Sequence, residues 1–112
     1  MTNPPLALAQ KLGKILSDRK AEAIVVMDLR GLSSVTDYYV IATALNTPHL
    51  KALADEMERV MGREGRSAFR RAGTLESEWL VVDYLDVVVH LFTARMREYY
   101  ALERLWRDAK SV

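Results

Sequence analysis

The 112-residue chain predicts a single α/β domain built on a mixed five-stranded sheet with flanking helices, in the order αββαβββα. Three observations predict it. Two apolar stripes at helical spacing, over residues 8–16 and 50–61, are interleaved with short runs rich in β-branched residues. Half of the residues are hydrophobic, enough for a real core and unlike a disordered chain. The length is that of one folding unit, with no repeat, low-complexity tract or linker, so the domain is taken as 1–112. Such elements pack naturally as a sheet carrying helices.

Each element has its own signal. Pro4 and Pro5 suit a first helical turn, where the missing N–H would be unpaired anyway. Leu8, Leu12, Ile15 and Leu16 then mark one face, and the helix should end near Arg19 or Lys20. The run AIVVMDL over 23–29, closed by Gly31, reads as a buried strand. Ser33 and Ser34 mark a turn, and DYYVIAT over 37–43 is a second strand able to hairpin with the first. Thr47 and Pro48 read as N-cap and first-turn proline of a helix bearing Leu50, Leu53, Ala54, Met57, Val60 and Met61. It should stop at Gly62 or Gly65. Residues 66–72 are basic and weakly apolar, as in an edge strand protected by charge. After a turn at 73–77 come strands at 79–84 and 87–92. Thr93 can cap a last helix over 94–108 that carries Met96, Tyr99, Tyr100, Leu102, Glu103, Leu105 and Trp106.

Composition narrows the function. A formal net charge of +1 gives no global drive toward nucleic acid or an anionic membrane. Absence of cysteine removes disulfides, thiolate nucleophiles and cysteine metal sites, and fits a reducing compartment. No apolar run approaches the roughly 20 residues of a membrane span, and the N-terminus lacks a secretory layout. A soluble cytoplasmic protein is expected.

The segment ESEWLVVDYLDVVVHLFTA, 76–94, stands out. It carries Glu76, Glu78, Asp83 and Asp86 but no Lys or Arg, although basic residues are common on both sides. A two-residue turn at Leu85 and Asp86 would place Tyr84 opposite Val87, Val82 opposite Val89 and Leu80 opposite Leu91. Those residues share one face, the better core face. Trp79, Val81, Asp83, Val88, His90 and Phe92 share the other. Buried charge is costly unless paired, so this second face is partly wet, or covered by a helix with Asp83 and His90 satisfied, or a binding site. Trp79 packs under a helix on one reading and anchors a partner on the other, with the four carboxylates facing the partner's basic residues.

DLRGLSSVTDYYVIAT over 28–43, EWLVVDYLDVVVHLF and the closing REYYALERLW together resemble the ribosome silencing factor, or Iojap-like, family. The resemblance runs from about Lys20 to Trp106. It implies a compact fold related to nucleotidyltransferases and a non-enzymatic factor of the large ribosomal subunit. Such a factor docks on a large-subunit protein at the subunit interface, the fourteenth in conventional naming, and sterically blocks the small subunit. It lowers translation when nutrients are scarce, and free members of the family often occur as homodimers. Carried over by position, Trp79 matches the family's tryptophan, and Asp83, Asp86 and His90 match its D-x-G-D-V-V-V-H run. The site so implied comprises Trp79, Leu80, Asp83, Tyr84, Leu85, Asp86 and His90. Two departures stand out. The family's turn glycine is Leu85 here, and its T-G-T-S segment is Thr43-Ala44-Leu45-Asn46.

A nucleotidyltransferase-like fold raises a nucleotide-binding or catalytic alternative. Gly31, Ser33 and Ser34 precede Asp37, but no Asp-x-Asp or Asp-x-Glu pair follows, and Asp83 and Asp86 flank a turn. Asp28 and Asp37 either converge on a cation or, as strand-end aspartates more often do, cap backbone N–H groups or meet Arg30. No cofactor or metal is expected: with two histidines and no cysteine a zinc site would have to recruit carboxylates from distant segments, and there is no phosphate-binding loop. His49, in a first helical turn, should face solvent. Arg59, Arg63, Arg66, Arg70 and Arg71, and on the last helix Arg95, Arg97, Arg104, Arg107 and Lys110, are solvated faces or a peripheral contact with ribosomal RNA phosphates.

Overall fold

The structure is a computed structural model that describes residues 3–100 and 110–111. Helix α1 (Pro4–Asp18) starts at Asn3, whose side-chain oxygen accepts the Leu6 N–H at 3.2 Å, ahead of the two prolines. Strands β1 (Glu22–Asp28) and β2 (Tyr38–Ala44) pair antiparallel. Helix α2 (Thr47–Arg63) follows, then β3 (Arg70–Thr74), β4 (Trp79–Asp83), β5 (Val87–Thr93) and α3 (Ala94–Tyr100). The five expected strands are present, although the third, expected over 66–72 with a turn at 73–77, runs from Arg70 through Gly73 and Thr74, and a two-residue β6 (Lys110–Ser111) adds to the β1 edge. The sheet order is β3-β4-β5-β2-β1-β6, with β5 parallel to β2 and antiparallel to β4. The remainder of the expected last helix, with Leu102, Glu103, Leu105, Trp106, Arg104 and Arg107, lies outside the described residues.

Two local expectations are corrected. The N-cap of α2 is Asn46, one residue before Thr47: its extended backbone lets the side-chain oxygen accept the His49 N–H at 2.8 Å. His49 is not a free surface ring. Its Nδ1 accepts the Leu45 N–H at 2.9 Å, which leaves Nε2 to donate to the Arg19 carbonyl at 2.8 Å. The ring therefore ties the start of α2 to the end of α1.

The main core lies between α1, α2 and one sheet face. Leu8, Leu12 and Leu16 of α1 and Leu50, Leu53, Met57 and Met61 of α2 meet Tyr38, Val40, Leu80, Val82, Tyr84, Val87, Val89 and Leu91. The opposite face has a smaller cluster of Met27, Leu29, Ile41 and Phe92, with Val25, Tyr39, Trp79 and Met96 packed against it. At the β3 edge, Arg71 reaches Asp55 and Glu58 on α2, both at 2.8 Å.

The β3–β4 connection imposes the tightest backbone constraint. Gly73 has φ of +90°, and a Cβ there would sit 2.1 Å from the Trp79 carbonyl oxygen. Gly65 has φ of +79° with open space around it. Gly65→Ala should therefore cost about 1 kcal/mol for left-handed backbone alone, whereas Gly73→Ala should cost about 3 kcal/mol or more because backbone must also move. Urea unfolding of the two variants measures the difference.

Candidate functional site

The β4–β5 hairpin forms in the register that a two-residue turn at Leu85 and Asp86 predicts: Leu80 pairs with Leu91, Val82 with Val89, and the Tyr84 N–H donates to the Val87 carbonyl at 2.9 Å. Consequently Leu80 and Tyr84, expected on the contact surface, point into the main core; Tyr84 is only 2 % exposed. Its hydroxyl has no hydrogen-bond partner, and burial pushes its pKa up to about 12. These two residues back the hairpin from inside.

The outer face of the hairpin is an aromatic cluster. The Trp79 indole N–H donates to His90 Nδ1 at 3.1 Å, and its ring stacks on Phe92 with centroids 5.2 Å apart. Tyr39 meets the His90 ring edge-on at 4.5 Å. His90 is 6 % exposed, and burial lowers its pKa to about 4, so the imidazole is neutral near pH 7. With Nδ1 accepting, the ring hydrogen sits on Nε2, which is buried without a hydrogen-bond partner. Trp79, Val81, Asp83 and Val88 are half-buried, so the outer face stays partly accessible on the side of β4. His90 is covered by Trp79 and Tyr39 and offers almost no surface of its own.

The four carboxylates do not form one surface. Glu76 and Glu78 lie at the start of β4 and Asp83 and Asp86 at its end, about 13 Å apart along the strand. Glu78 accepts from the Thr93 hydroxyl at 3.0 Å and from Arg95, whose guanidinium holds its carboxyl below the usual range. Asp83 accepts the Leu85 N–H at 2.7 Å and lies 3.6 Å from Arg70. Asp86 and Glu76 have no hydrogen bond or ion pair from their side chains among the described residues.

At the tip, Leu85 has φ of +74°, so this turn keeps the left-handed backbone that a glycine would adopt freely. The Asp83 carboxylate stabilises it by accepting the Leu85 N–H. Leu85 itself is exposed. The Asp86 carbonyl accepts two N–H groups, from Asp37 at 3.0 Å and Tyr38 at 3.1 Å, which fixes the tip to the start of β2.

Elsewhere, Asp28 meets Arg30, accepting from its side chain at 2.8 and 3.0 Å and from its backbone N–H at 3.0 Å. Among the described residues no group of three or more His, Asp or Glu side chains is placed to hold a metal ion. Among the same residues no helix is long and apolar enough to cross a membrane. Of the first basic cluster, Arg59, Arg70 and Arg71 are engaged with carboxylates, and Arg66 donates to the Tyr84 carbonyl at 3.3 Å. Contact with RNA phosphates would compete with those pairs.

Residues 2–112 match the family described as "Ribosomal silencing factor during starvation". The chain belongs to this family. It is 34 % identical over 105 residues to the ribosomal silencing factor of Halalkalibacterium halodurans, covering 94 % of this chain and 90 % of that one. It is 38 % identical to that of Bacillus subtilis, covering 82 % and 78 %. Against the chloroplastic protein Iojap of Arabidopsis thaliana, identity is 32 % over 96 % of this chain and 44 % of that one. The fold agrees with a crystal structure from Bacillus halodurans at a TM-score of 0.82 and 32 % identity, covering 96 % and 97 % of the two chains. A Chromobacterium violaceum structure gives 0.82 at 33 % identity, covering 89 % and 84 %.

Two outcomes follow from this geometry in the silencing-factor chain. Leu85→Gly should raise stability by about 0.5–1 kcal/mol, since relief of left-handed strain exceeds glycine's extra unfolded-state entropy; thermal melting measures it. His90 has an ordinary pKa of 6.5 and a folded value near 4, so between these the unfolded chain binds more protons. Its contribution is complete above pH 6.5 and declines as pH falls toward 4, by an amount on the order of 3 kcal/mol. Paired carboxylates such as Glu78 also titrate in acid. The difference in urea unfolding between the native chain and His90→Gln, stepped from pH 7 to pH 4, therefore isolates the imidazole.

Proposed function

We propose that this chain is a cytoplasmic translational repressor that binds the large ribosomal subunit and acts by occupying space. It docks on a protein at the subunit interface, the fourteenth of the large subunit in conventional naming, and thereby keeps the small subunit from joining. Family membership supports the ribosomal partner, and the hairpin tip supports the site. There an exposed Leu85, held by an internal Asx hydrogen bond, stands beside the unpaired Asp86 carboxylate. That combination suits a partner offering a shallow apolar patch and a basic side chain. Trp79 and Asp83 line the accessible flank; Leu80, Tyr84 and His90 hold those residues in place from beneath.

The proposed action is steric, and no residue is assigned a catalytic role. The reading includes a homodimer of the free chain, which light scattering would register as twice the chain mass. Peripheral contact with ribosomal RNA is secondary in it, because most of the first arginine cluster is engaged with its own carboxylates.

Leu85→Ser combined with Asp86→Arg tests the site without touching the core. Cosedimentation with large subunits should weaken by about tenfold or more, the effect of losing a central apolar anchor and reversing a charge. Melting should remain near that of the native chain. Undiminished cosedimentation would move the contact away from the hairpin tip.

A further inference from the structure

The sheet end that carries the hairpin tip exposes more apolar surface than the tip itself. Among the described residues six large apolar side chains are exposed, and four of them, Leu32, Val35, Phe69 and Leu85, emerge at this one end. Strands β1 and β4 finish here, and β2, β3 and β5 begin here. Backbone hydrogen bonds join the segments. The Leu29 N–H donates to the Asp37 carbonyl at 2.8 Å, those of Asp37 and Tyr38 donate to Asp86, and that of Phe69 donates to Asp83 at 2.7 Å. The β1–β2 loop, the approach to β3 and the hairpin tip thus form one tied rim. Val35 is 84 % exposed and Phe69 66 %, and neither main-sheet cluster includes them.

The charges on this rim are unequal in their commitments. Arg30 is bound to Asp28 and lies over the Tyr38 ring, 5.4 Å from its centroid. Arg70 faces Asp83, and Arg66 donates to the Tyr84 carbonyl. Asp37 and Asp86, joined through their backbones, have no hydrogen bond or ion pair from their side chains among the described residues. Asp86 is therefore the uncommitted carboxylate among four exposed apolar side chains, and Asp37 beside it is within the electrostatic reach of Arg30 without an ion pair to it. Phosphate would have to displace Asp28 and Asp83 to reach Arg30 and Arg70, and would meet the Asp86 carboxylate as it did so. A second copy pairing through the same face would bring these carboxylates toward one another.

We propose that this whole rim, Leu32, Val35, Phe69 and Leu85 around Asp37 and Asp86, is the docking surface. Its occupant is an apolar protein patch that delivers lysine or arginine to the two carboxylates. The inference rests on the reading above and widens the contact on that same large-subunit protein from the hairpin tip to the β1–β2 loop and the residue before β3.

The test leaves the tip intact and uses the full chain. Val35→Ser with Phe69→Ser should raise the dissociation constant for large subunits by about tenfold or more in a cosedimentation titration, with melting unchanged because both side chains are exposed. Asp37→Asn should weaken binding by about threefold or more and flatten its dependence on salt. If the native chain binds and V35S/F69S stays within about twofold of it, the wider surface is overturned while the ribosomal reading stands. If the native chain does not bind large subunits, both fall. Binding to deproteinised ribosomal RNA, or self-association in light scattering, that V35S/F69S abolishes would give the rim another occupant and overturn the proposal.

Discussion

β5 is held between a parallel and an antiparallel neighbour, and a slip of one residue against either would exchange its two faces. In the register adopted, Val87, Val89 and Leu91 enter the core under α1 and α2, while His90 and Phe92 go to the other side. A slip would uncover three apolar side chains, each of which contributes about 2 kcal/mol through burial, and would put an imidazole among the leucines. Everything specific to the hairpin depends on this choice. It brings His90 within reach of the Trp79 indole, stacks Trp79 on Phe92, and leaves Leu85 outside.

The same hairpin shows how a segment rich in acids distributes them. Lack of Lys and Arg between Glu76 and Ala94 suggests a uniform acidic face, but residues outside the segment answer part of it. Arg95 takes Glu78 and Arg70 approaches Asp83. Exposed pairs of this kind add little stability individually. Their effect is to define what is left over, and at the sheet end that remainder is Asp86. Local charge at a contact surface is set by which groups lack partners, more than by how many are present.

The β4–β5 hairpin is legible in the sequence because a two-residue turn at Leu85 and Asp86 fixes one register, and that register sorts the residues into an apolar face and a mixed one. The first two helices are equally legible from their apolar stripes. What escapes is anything decided by contacts between distant segments. Asn46 and Thr47 are both good capping residues, and only the path of the chain out of β2 selects Asn46. His49 looks like a surface residue until the Arg19 carbonyl, 30 positions away, is placed beside it. Leu80 and Tyr84 belong to the core face by alternation, yet the family motif draws attention to them as contacts; their burial separates the two roles. Leu32 and Val35 carried a signal of their own, since large apolar residues in a Gly- and Ser-containing loop have no core to enter. Phe69 had none, because a lone aromatic before an edge strand is as often inside as out.

The Asp86 carbonyl, accepting from both Asp37 and Tyr38, has a mechanical meaning. A hairpin tip normally ends in a turn free to swing, and a force applied there is absorbed by the turn. Here it passes through two hydrogen bonds to β2, near the middle of the sheet. The exposed tip is therefore tied to the sheet at its end as well as along its strands. A body pressed against it meets a braced post that gives little, and little motion remains there to be frozen when the two come together.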